Sequence, residues 1–245
     1  MPNNERLEGR HAVTEAIRAG LKLDLIYLQK DLKEEQKNSV LDAAKQAGIR
    51  VRLCEKDKLD ALSATGRHQG VIAEMEPLPY AEVSDMLADA RAKGEDPFLV
   101  LLDGIEDPHN LGAIIRSAHQ AGAHGVIVPK NRAAGLNATV ARTSAGAVSF
   151  LPVAQVTNLS RTMEELKKEG LWFACADMNG QVLFRQDLKG PIGLVIGSEG
   201  DGISPNVRKH CDFVVSIPMK GRIDSLNASV AAGILMFEVV RQRSM

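Results

Sequence analysis

Three short segments between residues 103 and 238 concentrate side chains that could do chemistry. DPHNLGAIIRSA carries Asn110 and Arg116, VIGSEGDGIS carries Glu199, and DSLNASVAAG carries Ser225 and Asn227. A carboxylate can accept a proton, a guanidinium can hold an anion, and amides or hydroxyls can orient a bound group. This set suits the positioning of an organic ligand better than the hydrolysis of a phosphate.

The glycines of the second segment argue against the common nucleotide sites. Gly197, Gly200 and Gly202 follow the pattern G-x-x-G-x-G, which is neither the dinucleotide fingerprint nor a phosphate loop. Bare backbone there predicts close approach by a ligand. His109 is the only histidine in the three segments, and no Ser/His/Asp order or metal-ligand spacing occurs, so we predict neither a hydrolase nor a metal site.

Simpler roles for these residues stay open at this point. Asn110 could cap a helix, Arg116 could be a surface charge, and Glu199 could be a solvated loop charge. Ser225 is a good N-cap for the last helix, whereas Asn227 is a mediocre helix former unless its amide meets a partner. We expect Arg116, about two turns into its helix, to lean back toward the loop.

Apolar strands alternate with helices around these segments. The runs FLVLLD, HGVIVP, LWFACAD, GLVIG and DFVVSIP predict a parallel α/β sheet covered on both faces. Ligands collect at the carboxyl ends of such strands. We assign residues 1–76 to a small α/β domain, 77–96 to a linker interrupted by PLPY and GEDP, and 97–245 to the larger domain.

The composition indicates an ordinary globular protein. The net charge is −1, so any binding of nucleic acid depends on local patches. No run of about 18 apolar residues occurs, which predicts no membrane segment and a cytoplasmic location. The best candidates for an RNA-binding patch lie in the first domain, and they are Arg10, His11, Arg67, His68 and Gln69.

The three segments, in this order, resemble the three sequence motifs of the SpoU (TrmH-like) RNA ribose methyltransferases of the SPOUT class. The matching stretches are NLGAIIRSA, VIGSEGDGIS and SIPMKGRIDSLNASVAAGILMFEVVRQR. GRHAVTEAI and HQGVIAE are similar to the small substrate-binding domain of the same family, so the resemblance covers nearly the whole chain. It is strongest to members that modify the ribose 2′-hydroxyl of a guanosine in large-subunit ribosomal RNA. ARTSAGAV and the basic MKGRID depart slightly from that subgroup.

The resemblance implies a trefoil-knotted domain preceded by an L30e-like domain, although chains are not normally threaded. It implies S-adenosylmethionine as cofactor, held largely by backbone at Gly197, Ile217, Met219 and Leu226. It also implies ribosomal RNA as partner and a catalytic group that consists of Asn110, Arg116, Glu199, Ser225 and Asn227. The family habit and a stripe of small residues on the last helix (Ala228, Ala231, Ala232) predict a homodimer, with a site that could be completed across its interface.

The proton acceptor is left open by the resemblance. The family's proposal gives this role to Arg116, yet a guanidinium has a pKa above about 12 and stays charged. Arg116 could instead hold a phosphate or stabilise an alkoxide, and Glu199 is a rival base or an orienter of Arg116. Alternative functions are methylation of transfer RNA, a non-catalytic RNA-binding assembly factor, and a nucleotide-dependent oxidoreductase.

Overall fold

The computed structural model describes residues 5–222 and 225–245, and the chain forms two compact units. The first unit consists of Met1–Pro79 and Leu136–Ser149, and the second consists of Tyr80–Gly135 and Phe150–Met245. This grouping differs from the predicted boundaries at two places. Residues 136–149 join the first unit, and most of the predicted linker belongs to the second. Within the described residues, no helix combines the length and apolar character that a membrane crossing requires.

The first unit is built on a four-stranded mixed sheet of order β1-β4-β2-β3. Strands β2 and β3 are parallel, and the other pairs are antiparallel. Its elements are β1 (Glu5–Glu8), α1 (Arg10–Arg18), β2 (Leu23–Gln29), α2 (Glu34–Gln46), β3 (Arg50–Cys54), α3 (Lys56–Leu62), β4 (Val71–Met75) and α6 (Ala138–Thr143). The sequence interpretation did not include β1, α3 or α6.

A carboxylate network ties β1 to the turn that follows α3. Glu8 accepts hydrogen bonds from Ser63 Oγ (2.6 Å), from the Ala64 backbone (2.5 Å) and from the hydroxyl of Thr65. Burial acts to raise the pKa of Glu8, but these hydrogen bonds outweigh it, and the pKa lies below the ordinary value of 4.5. The charged form of Glu8 therefore stabilises this turn.

The second unit contains a six-stranded sheet of order β10-β8-β9-β5-β6-β7. Every neighbouring pair is parallel, which confirms the predicted sheet. Its elements are α4 (Val83–Lys93), β5 (Phe98–Asp103), α5 (Pro108–Gln120), β6 (Gly125–Pro129), β7 (Val153–Val156), α7 (Leu159–Lys168), β8 (Trp172–Val182), β9 (Ile192–Gly197), α8 (Pro205–Arg208), β10 (Phe213–Ser216) and α9 (Ala228–Arg243). Helix α4 buries Met86 and Leu87 in this unit's core, so it is part of the unit and not a flexible linker.

Two helix starts differ from the predicted ones. Helix α5 begins at Pro108, and Asp107, not Asn110, is its N-cap, with Oδ1 accepting from the His109 backbone at 2.9 Å. Proline suits the first helical position because the N–H it lacks has no partner there anyway. Helix α9 begins at Ala228, and its N-cap is Asn227, not Ser225.

Candidate functional site

Three predicted catalytic side chains meet in the second unit. Strands β5 and β9 pair up to Asp103 opposite Gly197, so the loops that follow them start side by side. Asn110 Nδ2 donates to Glu199 Oε1 at 2.9 Å. Asn227 Nδ2 donates to the same oxygen at 2.6 Å and to Asn110 Oδ1 at 2.9 Å. The structure thus joins one residue from each of the three segments in a single hydrogen-bonded cluster.

Asn227 has two roles at once. Its Oδ1 accepts from the backbone of Ser229 (3.0 Å) and of Val230 (3.3 Å), which caps α9. Its Nδ2 donates to Glu199 and to Asn110 in the cluster. Both polar atoms of the amide therefore have partners, which fixes the orientation of the side chain. Asn227, a mediocre helix former, therefore stands at a position where its side chain both caps the helix and bonds to the site.

Glu199 is held by one oxygen. Its Oε1 accepts from Asn110, from Asn227 and from the Ala228 backbone at 3.3 Å, where the start of α9 favours a negative charge. No residue in 5–222 or 225–245 donates to its Oε2. One oxygen of the carboxylate is thereby fixed, and the other is left able to accept a proton. Glu199 is not bonded to Arg116, so it does not orient that arginine within this chain.

Glu199 lies between two clefts. The first, which we call the cofactor cleft, has a volume of about 420 Å³ and is lined by β9 and its loop, by the β8 residues Asp177 and Met178, and by the segment before α9. The second, the acidic cleft, has a volume of about 500 Å³ and is lined by residues 104–107, Asn110, Arg132, the glycine loop and Asn227. Glu199 lines both.

The cofactor cleft contains all four residues that were expected to bind the cofactor, and they are Gly197, Ile217, Met219 and Leu226. Its volume lies within the range of about 300 to 1,000 Å³ that is usual for small-molecule sites. Backbone and apolar side chains supply much of the lining, which fits an organic cofactor with an uncharged ring system. Ser225 lines this cleft too, although it does not belong to the hydrogen-bonded cluster.

The glycine loop is tighter than its spacing indicates. Ser198 and Gly202 exchange two backbone hydrogen bonds of 3.1 Å, which bring the two ends of the loop together. A Cβ atom on Gly197 would lie 2.3 Å from the carbonyl carbon of Gly202. Gly197 is therefore required by the chain's own backbone, and not only by a ligand. A Cβ on Gly200 would meet nothing within 4 Å.

A bulge in β8 supplies side chains that the sequence interpretation missed. Cys175 pairs with Val214, whereas Gln181 pairs with Val215, so residues 176–180 have no paired residue in the ladder with β10, although Ser216 Oγ donates to the Gly180 carbonyl at 3.0 Å. Asp177 in this bulge forms an ion pair with Arg208, and both line the cofactor cleft. Asp177 ends the apolar run LWFACAD, and a polar residue at that position was the available signal, although β8 continues to Val182.

Arg116 does not join the cluster, contrary to our expectation. It follows Asn110 by six residues, which turns it by about 240° around α5. Its side chain is exposed, it lines neither cleft, and it makes no hydrogen bond or ion pair within the described part of the chain. Helix geometry thus directs Asn110 and Arg116 to different sides of α5.

The candidate RNA-binding residues lie together in the first unit. A Cβ on Gly9, just before Arg10, would lie 3.7 Å from Gln69 Oε1 and 3.9 Å from the Arg67 carbonyl. His11, Arg67 and Gln69 are exposed, and Arg10 is half-buried.

His68 is a correction to that set, because its side chain is only 5% exposed. Its Nδ1 accepts from the Gly70 backbone at 3.0 Å, and its Nε2 lies 2.8 Å from Asp60 Oδ1. Both ring nitrogens are therefore occupied within the unit. His68 orders the turn and does not present its ring to a partner.

Comparisons with known proteins show the family of the chain. The model of the SpoU rRNA Methylase family matches residues 97–237, and a model described as RNA 2'-O ribose methyltransferase substrate binding matches residues 6–81. The 23S rRNA (guanosine-2'-O-)-methyltransferase RlmB of Ralstonia nicotianae is 46% identical over 100% of this chain and 98% of its own length. The putative TrmH family tRNA/rRNA methyltransferase YacO of Bacillus subtilis is 46% identical over 96% of this chain and 95% of its own.

Among solved structures, the SpoU methyltransferase AviRb of Streptomyces viridochromogenes, in complex with the cofactor AdoMet, aligns with a TM-score of 0.73. It is 28% identical, and the alignment covers 98% of this chain and 90% of that one. The cofactor cleft, with Gly197, Ile217, Met219 and Leu226 along it, fits such a cofactor. The chain belongs to the SpoU rRNA methylase family and is an S-adenosylmethionine-dependent RNA 2'-O-methyltransferase.

Proposed function

We propose that this chain methylates the ribose 2′-hydroxyl of a guanosine in 23S ribosomal RNA. The observation that carries the proposal is the position of Glu199, which lies between the cofactor cleft and the acidic cleft and is bonded to Asn110 and Asn227. The 46% identity to a 23S rRNA guanosine 2′-O-methyltransferase over the whole chain supports the choice of RNA and nucleotide. Ribosomal RNA as substrate also makes the cytoplasm the expected location.

In the proposed reaction, the bond from the 2′-oxygen to the methyl carbon forms as the sulfur–carbon bond breaks, and the hydroxyl proton goes to Glu199 Oε2. The cofactor, when bound, supplies an electrophilic methyl group. Asn110 and Asn227 hold Oε1, so the orientation of the carboxylate is set before the ribose arrives. Alignment of the reacting atoms can contribute about 7 to 11 kcal/mol in favourable systems, and general-base catalysis adds about 10²- to 10⁴-fold in rate.

The proposal includes a homodimer in which Arg116 of a second copy completes the site. Arg116 is exposed and does not line either cleft of its own chain. Helix α9 also exposes an apolar stripe, with Val230 and Phe237 each 50% exposed. The predicted small-residue stripe is not the exposed one, because Ala228 and Ala232 are buried within the unit. An uncovered apolar stripe of this kind is typical of a protein interface.

Mixing two inactive variants tests the shared site. Heterodimers of Arg116→Ala and Glu199→Gln contain one site with both native residues if the site is shared, and none if each chain supplies both. Recovery of methyl transfer on mixing supports the shared site. A mixture that stays inactive, or a native protein that is monomeric by light scattering at working concentrations, contradicts it.

We further infer that the first unit is an L30e-like domain that binds the RNA through Arg10, His11, Arg67 and Gln69. The match of residues 6–81 to a substrate-binding model supports this role. Neutralising Arg10 and Arg67 should lower the salt dependence of RNA binding, by about 0.7 to 0.9 in slope for each phosphate that the protein no longer neutralises. An unchanged slope would remove these residues from the interface.

A trefoil knot in the second unit is also part of the proposal. The match of residues 97–237 to the SpoU rRNA Methylase family supports it, because the resemblance to that family implies a threaded chain. Pulling the unit from residues 80 and 245 until it unfolds tests this. A knot shortens the fully extended chain below the length expected from its number of residues, and full extension contradicts it.

Transfer RNA is the second candidate substrate, because the equally similar Bacillus subtilis relative is described as a tRNA/rRNA methyltransferase. Mapping of 2′-O-methylation in RNA from cells with and without the gene decides between the two. We expect one guanosine of 23S RNA to lose its methyl group and the transfer RNAs to be unchanged. The purified protein should then restore that methyl group in vitro.

A further inference from the structure

Arg132 lies in the loop after β6 with an unusual backbone conformation. Its φ angle is 55°, a left-handed value that few residues other than glycine adopt. The loop is anchored close by, because the buried Ala134 donates its backbone N–H to the Ile105 carbonyl at 2.8 Å. Strained residues of this kind persist where the surrounding structure holds them, and they often belong to functional sites.

The side chain of Arg132 places a positive charge on an otherwise acidic surface. Four carboxylate residues line the acidic cleft, and they are Glu106, Asp107, Glu199 and Asp201. Among the described residues that line it, Arg132 is the single cation. RNA carries a negative charge on every phosphate, so four carboxylates alone would repel it. A cation beside this cleft would favour the approach of a ribose to Glu199, because it can accept the accompanying phosphate.

Arg132 is loosely held and can exchange its partners. Its nitrogen atoms lie 3.9 Å from Glu106 Oε1 and 3.7 Å from Asp201 Oδ2. Both distances exceed the roughly 2.7 to 2.9 Å of a charge-assisted hydrogen bond. The side chain is 66% exposed, so water weakens both ion pairs further. A phosphate that meets the planar guanidinium with two oxygens at hydrogen-bonding distance would bind it more tightly than either carboxylate does at 3.9 and 3.7 Å.

We propose that Arg132 binds the phosphodiester that flanks the reacting ribose and so positions the 2′-hydroxyl beside Glu199. This inference rests on the proposed function, because it assigns an RNA contact to the same site. Its chemistry is recognition of a backbone phosphate and is independent of base identity. Arg132 is therefore expected to act on RNA affinity and on the placement of the ribose, not on cofactor binding.

Arg132→Gly is the decisive variant, since it removes the guanidinium while glycine accepts the positive φ angle without strain. Loss of a structural residue would lower the melting temperature, whereas this change should leave it the same or higher. Arg132→Lys retains the charge but not the paired donors. Arg161→Ala is the matched control, because Arg161 is an exposed arginine of the same unit with a single surface ion pair and lines neither cleft.

We expect Arg132→Gly to raise the dissociation constant for a 23S RNA hairpin about tenfold, as for loss of one charged hydrogen-bonding partner. The salt slope of binding should fall by about 0.7 to 0.9, and S-adenosylmethionine affinity should stay within about twofold. Arg132→Lys should keep the slope and recover part of the affinity. Arg161→Ala should match the native protein in all three measurements.

An unchanged salt slope of RNA binding in Arg132→Gly would overturn the assignment of Arg132. So would a loss of RNA affinity that is accompanied by a comparable loss of cofactor affinity and by a lower melting temperature. Because RNA binding is measured without methyl transfer, that result is separate from failure of the proposed function. If the native protein methylates neither 23S RNA nor transfer RNA, the proposed reaction fails even where Arg132 controls RNA binding.

Discussion

Replacing Glu199 by glutamine separates proton acceptance from hydrogen bonding at the site. The glutamine Oε1 can still accept from Asn110, Asn227 and the Ala228 backbone, as the glutamate oxygen does at 2.9, 2.6 and 3.3 Å. The other terminal atom changes from an acceptor oxygen to a donor nitrogen. The variant thus keeps the scaffold and removes the group that we propose takes the 2′-hydroxyl proton.

The magnitude follows from these contacts. Loss of a general base lowers the rate by about 10²- to 10⁴-fold, which corresponds to about 3 to 5 kcal/mol of transition-state stabilisation. If Glu199 only orients the two asparagines, the neutral oxygen still accepts all three bonds, and the rate should fall by less than about tenfold. The stability cost is about 1 kcal/mol or less, because the carboxylate is exposed.

The assay is single-turnover transfer of labelled methyl groups to a 23S RNA hairpin at saturating cofactor, with separate measurements of cofactor and RNA affinity. Glu165→Gln is the control, because it removes one exposed carboxylate of the same unit at a surface ion pair. A Glu199→Gln rate within about tenfold of the native rate would refute Glu199 as proton acceptor. A large loss that is matched by equally weakened cofactor binding would assign Glu199 a binding role instead.

Four further predictions concern local geometry. Gly197→Ala should lower the melting temperature by several degrees through about 1 to 3 kcal/mol of overpacking, whereas Gly200→Ala should leave it unchanged, and equal effects in calorimetry would contradict the tight loop. Asn227→Asp should keep the cap of α9 but place a second carboxylate in the cluster, so that methyl transfer falls at least about tenfold with little loss of stability. Ser225→Ala should lower the free energy of unfolding by less than about 0.5 kcal/mol in denaturant unfolding, and a cost of about 1 kcal/mol would identify Ser225 as the cap. Glu8→Gln should lower the free energy of unfolding by about 1 kcal/mol at pH 7. Because the folded pKa of Glu8 is lowered, its contribution to stability is present above pH 4.5 and is lost as the pH falls through the folded pKa. The curves of unfolding free energy against pH for the variant and the native protein should therefore converge in acid. A difference that persists there would assign the effect to packing.

The strands of the second unit were predictable because their signal is local. Runs such as FLVLLD are buried over nearly their whole length in the middle of a covered parallel sheet, and the five predicted runs correspond to β5, β6, β8, β9 and β10. The short strands β1 and β7 were missed, since four residues carry little periodicity.

The helix caps show where local signals compete. Ser225 and Asn227 are both good capping residues, and their order in the sequence does not decide between them. The structure selects Asn227, because its amide also meets Glu199 and Asn110. At α5, proline in the first turn makes Asp107 the cap and frees the side chain of Asn110 for the cluster.

The sequence by itself determined the parallel sheet and the three polar segments, because each depends on residue types at short and regular spacing. The family and the cofactor followed from the resemblance of these segments to the motifs of a known family. Only the tertiary structure decided that Asn110 and Asn227 share one carboxylate oxygen of Glu199, that Arg116 lies apart from them, that His68 is buried, and that Arg132 lines the same cleft. Asn110 and Asn227 are 117 positions apart along the chain, and Asn110 and Glu199 are 89 apart. Distances over such separations are set by strand register and helix packing, which no local pattern encodes.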